Sequence, residues 1–305
     1  MTAVVIAAPA SVPATRAAAP GKAGGGKRFA VTVLGGYLPM VAAALLIALP
    51  LVWMFIGSLK SPAEILTQNL VILPRNPSFQ AYRDAADSLS TNGANIGRLF
   101  LNSVIVTAIG ARLKVTVAIT SAYALVFVRF PFKRVIFIGI LVALMVPPQV
   151  AIVPNYVLIA GWGGVSTYWG IILPSLGTAF GTFLLRQHFM TLPRELIEAA
   201  EIDGAGHFRT LASVVAPIST PTIATVALVT VVNEWNDYIW PLVITNDPGH
   251  MTLPVGLTLL NNSEGNTAQY PLLMAGAVMV IVPVLLVFAL LQRFIVAGLT
   301  QGAVK

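Results

Sequence analysis

The chain has no cysteine, three histidines and few charged side chains, and each shortage removes a class of function. Without cysteine there is no disulfide and no thiolate ligand for a metal. His188, His207 and His250 are scattered and show no metal-ligand spacing. Charged residues make up 10% of the chain, whereas soluble globular domains carry about 25%. So few charges leave too little polar surface for a water-soluble fold.

Apolar residues are in excess, at 57% of the 305 residues, and they fall in long runs. A helix that crosses a bilayer needs roughly 20 such residues. The runs therefore predict an all-α integral membrane protein with about six transmembrane helices. The predicted spans are residues 33–57, 101–128, 135–156, 168–187, 218–244 and 270–292.

The remaining segments are polar or of low complexity. Residues 1–30, rich in Ala, Pro and Gly, predict a flexible N-terminal tail, and residues 31–305 predict a single transmembrane domain. Residues 59–98 are interpreted as an extramembrane loop, and residues 188–216 as a second polar loop between the fourth and fifth spans.

The distribution of Lys and Arg predicts that both termini lie in the cytoplasm. With the N-terminus inside, the inner segments carry twelve of the 18 basic residues, and the outer segments carry four, all in residues 59–98. The other two, Arg112 and Lys114, lie within the second span. Basic residues favour the cytoplasmic side of a membrane, so residues 188–216 are expected there.

Residues 188–216 predict two short helices joined at a glycine turn. Gly204 and Gly206 end the first helix, and a second is expected from His207 to Val215. Residues at helical spacing predict a small apolar stripe on the first helix: Leu192, Leu196, Ala199 and Ala200.

This helical hairpin suits docking into a groove on a partner protein, because an amphipathic helix presents anchors at i, i+3 and i+4. The alternative is a helix that rests on lipid headgroups. Glu198, Glu201 and Asp203 count against that alternative, since the inner leaflet is anionic.

The hairpin resembles a known family. Glu198-Ala199-Ala200, Asp203-Gly204-Ala205, Pro217 and Pro221 are similar to the EAA loop of permeases in binding-protein-dependent ABC importers. The resemblance runs from about residue 36 to the end, within the maltose-type carbohydrate permeases, and is greatest to the sn-glycerol-3-phosphate importer subgroup. Further matching segments are Asn102-Ser103, Ala122-Tyr123-Ala124, Arg129-Phe130, Met145-Val146-Pro147, Gly181 to Pro193, Trp235 to Leu242 and Gly298 to Lys305.

The resemblance implies a type I ABC importer permease fold in the bacterial inner membrane, with a cytoplasmic coupling helix. Glu198, Ala199, Ala200, Asp203 and Gly204 are then expected to contact an ATPase. The implied partners are a second permease subunit in a heterodimer, two ATPase subunits and an extracytoplasmic solute-binding protein, with no nucleic acid. The chain itself is expected to be no enzyme and to bind no cofactor; ATP and Mg²⁺ are expected on the ATPase.

The fifth predicted span carries a polar run, Asn233-Glu234-Trp235-Asn236-Asp237, at membrane depth. Ionisable groups there are costly unless they face a wet cavity or a partner. Glu234 and Asp237 are three residues apart and are expected on one helical face. The run predicts a substrate pathway or gate, and internal pairing that fixes helix packing is the alternative.

Arg112 and Lys114 are the obvious counter-charges. They are two residues apart and point to different faces of the second span. Lys114 is expected either to neutralise Glu234 or Asp237, or to hold an anionic solute, and both residues join the candidate pathway.

The resemblance implies glycerol 3-phosphate or a glycerophosphodiester as the solute, moved by alternating access. A neutral di- or oligosaccharide, such as maltose or trehalose, is the alternative, because acidic residues nearby disfavour a phosphate. A membrane-embedded enzyme using Glu234 and Asp237 is a third hypothesis, but no nucleophile or metal motif accompanies that pair. A channel or receptor would not need a loop shaped for an ATPase.

Overall fold

A computed structural model of the protein describes residues 33–65, 72–260 and 270–301. Within these ranges every regular element is a helix, as the sequence predicted. The predicted tail, residues 1–30, lies outside them. Three described helices are long and apolar enough to cross a membrane, and the number rises to six if each of three bent pairs is one span.

The helices that shape the site are numbered in chain order. They are α1 (Leu38–Ser58), α2 (Gln80–Thr91), α3 (Ile96–Phe127), α4 (Lys133–Met145), α5 (Ile152–Gly161), α6 (Ala179–Phe189), α7 (Arg194–Ile202), α8 (Thr220–Asn236), α9 (Ile239–Ile244) and α10 (Tyr270–Gln301).

Three predicted spans are not the continuous helices that the apolar runs suggested. Residues 135–156 break between α4 and α5, where the chain turns by 95° at Pro147 and Pro148. Proline has no N–H for the helix ladder and disfavours helical backbone in the residue before it. Residues 168–187 bend by 49° between the run Tyr168–Ser175 and α6. Residues 218–244 contain two helices, α8 and α9.

Residues 59–98 were predicted as an extramembrane loop but contain α2. Its buried residues, Ala81, Ala85 and Leu89, recur every four residues and form one helical face. That face packs against α10 and the N-terminal part of α3. The many charges of the segment concealed this short apolar stripe.

The chain divides into two compact units, Met1–Val52 and Trp53–Lys305. In the described part of the first unit, nearly every side chain of α1 is exposed and apolar, as a helix in contact with lipid or other membrane helices requires. In the second unit, α3 contributes to all three buried clusters, through Leu99, Val106 and Ala118. It is the central helix of that unit.

Candidate functional site

The predicted helical hairpin is present between α6 and α8. Its first arm is α7 and its second is the helical run His207–Ile218. Gly204 turns the chain with φ of +73°, in the left-handed region that glycine adopts without steric cost. The N–H of Ala205 donates to the carbonyl oxygen of Ala200 at 2.9 Å and closes the end of α7.

The hairpin is seated on the chain's own core partly through the predicted stripe, since Leu192 packs against that core and Ala200 is buried. Ile197 and Ala200 are buried, and Ile197 belongs to the core cluster that contains Leu185 and Phe189 of α6. Leu196 and Ala199, the other two members of the predicted stripe, are exposed, so the stripe is divided between the core and the outward surface. Ala200 therefore supports the hairpin from inside.

The outward surface of the hairpin combines carboxylates with uncovered apolar side chains. Ile202 and Phe208 are each 86% exposed, so two large apolar side chains are left uncovered by the rest of the chain. Exposed apolar groups beside charges are typical of a protein-docking surface. We call this surface the docking face; its residues are Leu196, Glu198, Ala199, Ile202, Asp203 and Phe208.

Besides its packing against α6, the hairpin is joined to α8 and to α3. The run His207–Ile218 continues into α8 after a bend of 86°. On its other side, the Tyr123 hydroxyl of α3 lies 3.3 Å from Nδ1 of His207, and the two rings meet edge to face. A displacement of the hairpin thus reaches both α3 and α8.

An ion pair joins the middle of α3 to the C-terminal end of α8. Lys114 Nζ contacts Glu234 Oε1, and their side chains are only 13% and 8% exposed. This contact is the one that the first predicted role of Lys114, neutralisation of Glu234, requires. Gly110, one helical turn before Lys114, faces the same carboxylate: a Cβ at this glycine would lie 2.5 Å from Glu234 Oε2.

Asp237 does not share a helical face with Glu234, contrary to the prediction. The helix ends at Asn236, and Asp237 has extended backbone angles. Its half-buried carboxylate accepts from the backbone N–H groups of Tyr238 and Trp240. The pair of carboxylates is therefore split between a helix and the turn after it.

The other members of the predicted polar run divide by exposure. Trp235 is buried, and its Nε1 donates to the carbonyl oxygen of Val280 in α10 at 3.0 Å. Asn233 and Asn236 are exposed on α8. Arg112 is exposed on α3, and its guanidinium group has no hydrogen-bond or ion-pair partner within the described ranges.

Beside Trp235 lies an open apolar cavity of about 440 Å³ between α3, α8 and α10. Thr107 is the one polar residue among those that line it, and no titratable group does. Over residues 33–65, 72–260 and 270–301, no cluster of His, Asp and Glu could hold a metal ion.

Comparison with known proteins agrees with this architecture. Residues 114–301 match the family described as binding-protein-dependent transport system inner membrane component, and the chain belongs to that family. The protein is a permease component of an ABC importer, a multi-pass inner-membrane transport protein without enzymatic chemistry of its own.

Relatives from three bacteria cover nearly the whole chain. Each is named an sn-glycerol-3-phosphate transport system permease protein, UgpE. The Brucella suis protein is 34% identical over 89% of this chain and 97% of its own length. The Rhizobium meliloti protein is 33% identical with the same coverage, and the Yersinia pestis protein is 33% identical over 87% of this chain and 95% of its own length.

A solved structure shares the fold. It is titled as a bacterial ABC transporter involved in the import of the acidic polysaccharide alginate. One of its chains superposes with a TM-score of 0.73 at 24% identity, over 88% of this chain and 98% of that one. These findings support the transport hypothesis and give the enzyme hypothesis nothing to rest on.

Four features of the site were not predicted. Ile202 and Phe208 could have been noticed as bulky apolar residues flanking a polar turn. Gly110 and the contact between Tyr123 and His207 carry no sequence signal, because each depends on which helices become neighbours.

Proposed function

We propose that this permease moves glycerol 3-phosphate or a glycerophosphodiester into the cytoplasm by alternating access. The observation that carries the proposal is the 33–34% identity, over almost the full chain, to relatives named for sn-glycerol-3-phosphate transport. A neutral di- or oligosaccharide is the second candidate. It is favoured by the ion pair between Lys114 and Glu234, because this pairing leaves one fewer cation to bind a phosphate.

The proposed assembly follows the family pattern. This chain pairs with a second permease subunit, two ATPase subunits bind below, and a solute-binding protein delivers the solute from outside. ATP and Mg²⁺ are bound by the ATPase subunits. Residues 31–305 form the membrane domain, and both termini and the tail, residues 1–30, lie in the cytoplasm.

In this proposal the docking face sits in a cleft of the ATPase. Glu198 and Asp203 supply acceptors for partner donors, and Ile202 and Phe208 supply the apolar anchors. Ala199 permits close approach because its side chain is small, Gly204 sets the turn, and Ala200 holds the helix on the membrane core.

The exposed members of the polar run are proposed to line the solute pathway between the two permeases. Arg112 lies at the middle of the 32-residue helix α3, where an unpaired charge is costly in lipid. A wet pathway removes that cost and suits Asn233 and Asn236 as well. Lys114, Glu234, Trp235 and Asp237 hold α8 in place behind this surface.

The test is transport by the reconstituted complex of all subunits in proteoliposomes. Glycerol 3-phosphate is expected to stimulate ATP hydrolysis and to accumulate inside, and a glycerophosphodiester and a disaccharide are assayed in parallel. Stimulation by the disaccharide alone would transfer the proposal to the second candidate.

The docking face is tested in the same system with Glu198→Lys. We expect uptake to be lost although the variant is present in the membrane at its normal level. The reason is that a lysine places a cation against partner groups that donate hydrogen bonds to the Glu198 carboxylate. Asp87→Lys, a charge reversal at an exposed position of α2, is the matched control and is expected to transport normally. Normal uptake with Glu198→Lys would remove the hairpin from the coupling mechanism.

A further inference from the structure

At Gly110, a carboxylate carried by α8 lies against α3. We infer that Gly110, Lys114 and Glu234 form a clamp that makes α3 and α8 respond together to the hairpin, with Gly110 as its positioning residue. The inference rests on the proposed function, because it concerns how movement of the docking face becomes transport.

The missing side chain of Gly110 forms the notch that admits Glu234. A Cβ there would come within 2.5 Å of Glu234 Oε2, far inside van der Waals contact. Because the opposing atom is the end of a flexible side chain, an alanine is accommodated by moving that carboxylate rather than the backbone. Because Lys114 contacts the other oxygen of the same carboxylate, this movement is expected to lengthen the ion pair. One methyl group thus opens the clamp without changing any charge.

The clamp lies where a mechanical link between the two helices is useful. The hairpin acts on α8 through chain continuity at the 86° bend and on α3 through His207 and Tyr123. Both inputs arrive at the hairpin end of the helices, whereas Lys114 and Glu234 meet farther along them. At membrane depth water does not replace a broken ion pair, so the pair resists separation. Movement of either helix is therefore passed to the other.

The clamp also changes the role of Lys114. Its ammonium group is mostly covered and contacts Glu234, so a solute phosphate would have to displace a resident carboxylate to reach it. Lys114 is accordingly a positioning residue in this arrangement and not a solute ligand.

The experiment compares Gly110→Ala with Gly139→Ala in the complete reconstituted complex. Gly139 is an exposed helical glycine of α4 with no atom within 4 Å of a built Cβ, which makes it a matched control. Gly110→Ala is expected to lower the amount of glycerol 3-phosphate imported per ATP hydrolysed by about tenfold, the scale of losing one charge-assisted contact. Gly139→Ala is expected to match the unmodified protein, and equal ratios for both variants would overturn the clamp.

Charge reversal separates a clamp from a solute site. Lys114→Glu and Glu234→Lys are each expected to lose coupled import, and the double reversal is expected to restore it to within about threefold, because the pair is re-formed with opposite polarity. A double variant as inactive as the single ones would show that Lys114 acts on the solute and would overturn the inference. If Gly110→Ala fails to accumulate in the membrane, the reversal series alone decides.

Failure of the proposed function gives a different result. If the unmodified complex imports only a disaccharide, glycerol 3-phosphate is the wrong solute, and the same ratios are then measured with the disaccharide. The variants therefore test the clamp whichever solute the complex imports.

Discussion

Gly204 shows how one backbone angle shapes the docking face. Its φ of +73° places Asp203 and Ala205 on either side of a sharp turn. A side chain at such an angle costs roughly 1 kcal/mol or more, and a β-branched one costs most. Gly204→Val is therefore expected to reduce solute-stimulated ATP hydrolysis severalfold in the reconstituted complex while basal hydrolysis by the ATPase persists.

Gly206 provides the control for that substitution. Its φ is −70°, and a Cβ at this position would have no atom within 4 Å, so any residue fits there. Gly206→Ala should leave stimulation unchanged. An equal defect in both variants would mean that the loop needs flexibility at its glycines and not the left-handed turn.

At this scale the sequence predicted chemistry better than geometry. Charged residues at membrane depth must be neutralised, so Lys114 and Glu234 could be proposed as partners from their positions alone. The notch at Gly110 could not be proposed, since glycine within an apolar helix has many uses. The shared face of Glu234 and Asp237 was wrong because the helix ends between them, at Asn236.

At the scale of single helices, the sequence likewise predicted less of the geometry than of the chemistry. The six apolar runs were visible, but their bends were not, because an apolar run records the solvent around a segment and not its direction. Pro147 and Pro148 mark a break in hindsight, yet Pro283 lies inside the continuous helix α10. Neighbouring helices decide which prolines are accommodated. The helix α2 was missed for the opposite reason, as a short apolar face within a charged segment.

Asn102 of α3 holds the loop before the single-turn helix Leu253–Gly256. It is fully buried, and its Nδ2 donates to the carbonyl oxygens of Gly249 and Met251, each at 2.9 Å. Its Oδ1 accepts from the Tyr168 hydroxyl at 2.7 Å. Asn102→Leu keeps the approximate volume but removes three hydrogen bonds, each worth about 0.5–1.5 kcal/mol, and the Gly249 carbonyl retains only its bond from Arg98 Nε. The melting temperature in detergent is expected to fall by several degrees.

Tyr168→Phe is the milder member of that pair. It removes one hydrogen bond of the three and should lower stability by about 1 kcal/mol. A larger loss from Tyr168→Phe than from Asn102→Leu would show that the aromatic contact of Tyr168 with His250, and not the Asn102 network, holds the loop.

At the scale of the whole molecule, a single chain leaves much of the surface of its membrane-spanning helices exposed. Over the described residues the Arg112 side chain of α3 has no partner, and the asparagines of α8 and the docking face are exposed. In the proposed assembly a second permease and an ATPase cover these groups. The sequence could predict that such partners exist through the family motif, but not which helix faces meet them, because that depends on the arrangement of α3, α8 and α10.

Orientation in the membrane is the property on which the function depends most, and the chain offers a clean test because it has no cysteine. Ser90→Cys places a single thiol at an exposed position of α2, and Glu201→Cys places one at an exposed position of the hairpin. The basic residues predict that the hairpin is cytoplasmic and α2 is external. In intact cells a membrane-impermeant maleimide should label the Ser90 variant at once and the Glu201 variant only after permeabilisation. The unmodified chain, which offers no thiol, gives the background. Labelling of the Glu201 variant from outside would put the docking face on the side of the membrane where there is no ATP, and an ATPase could not drive transport through it.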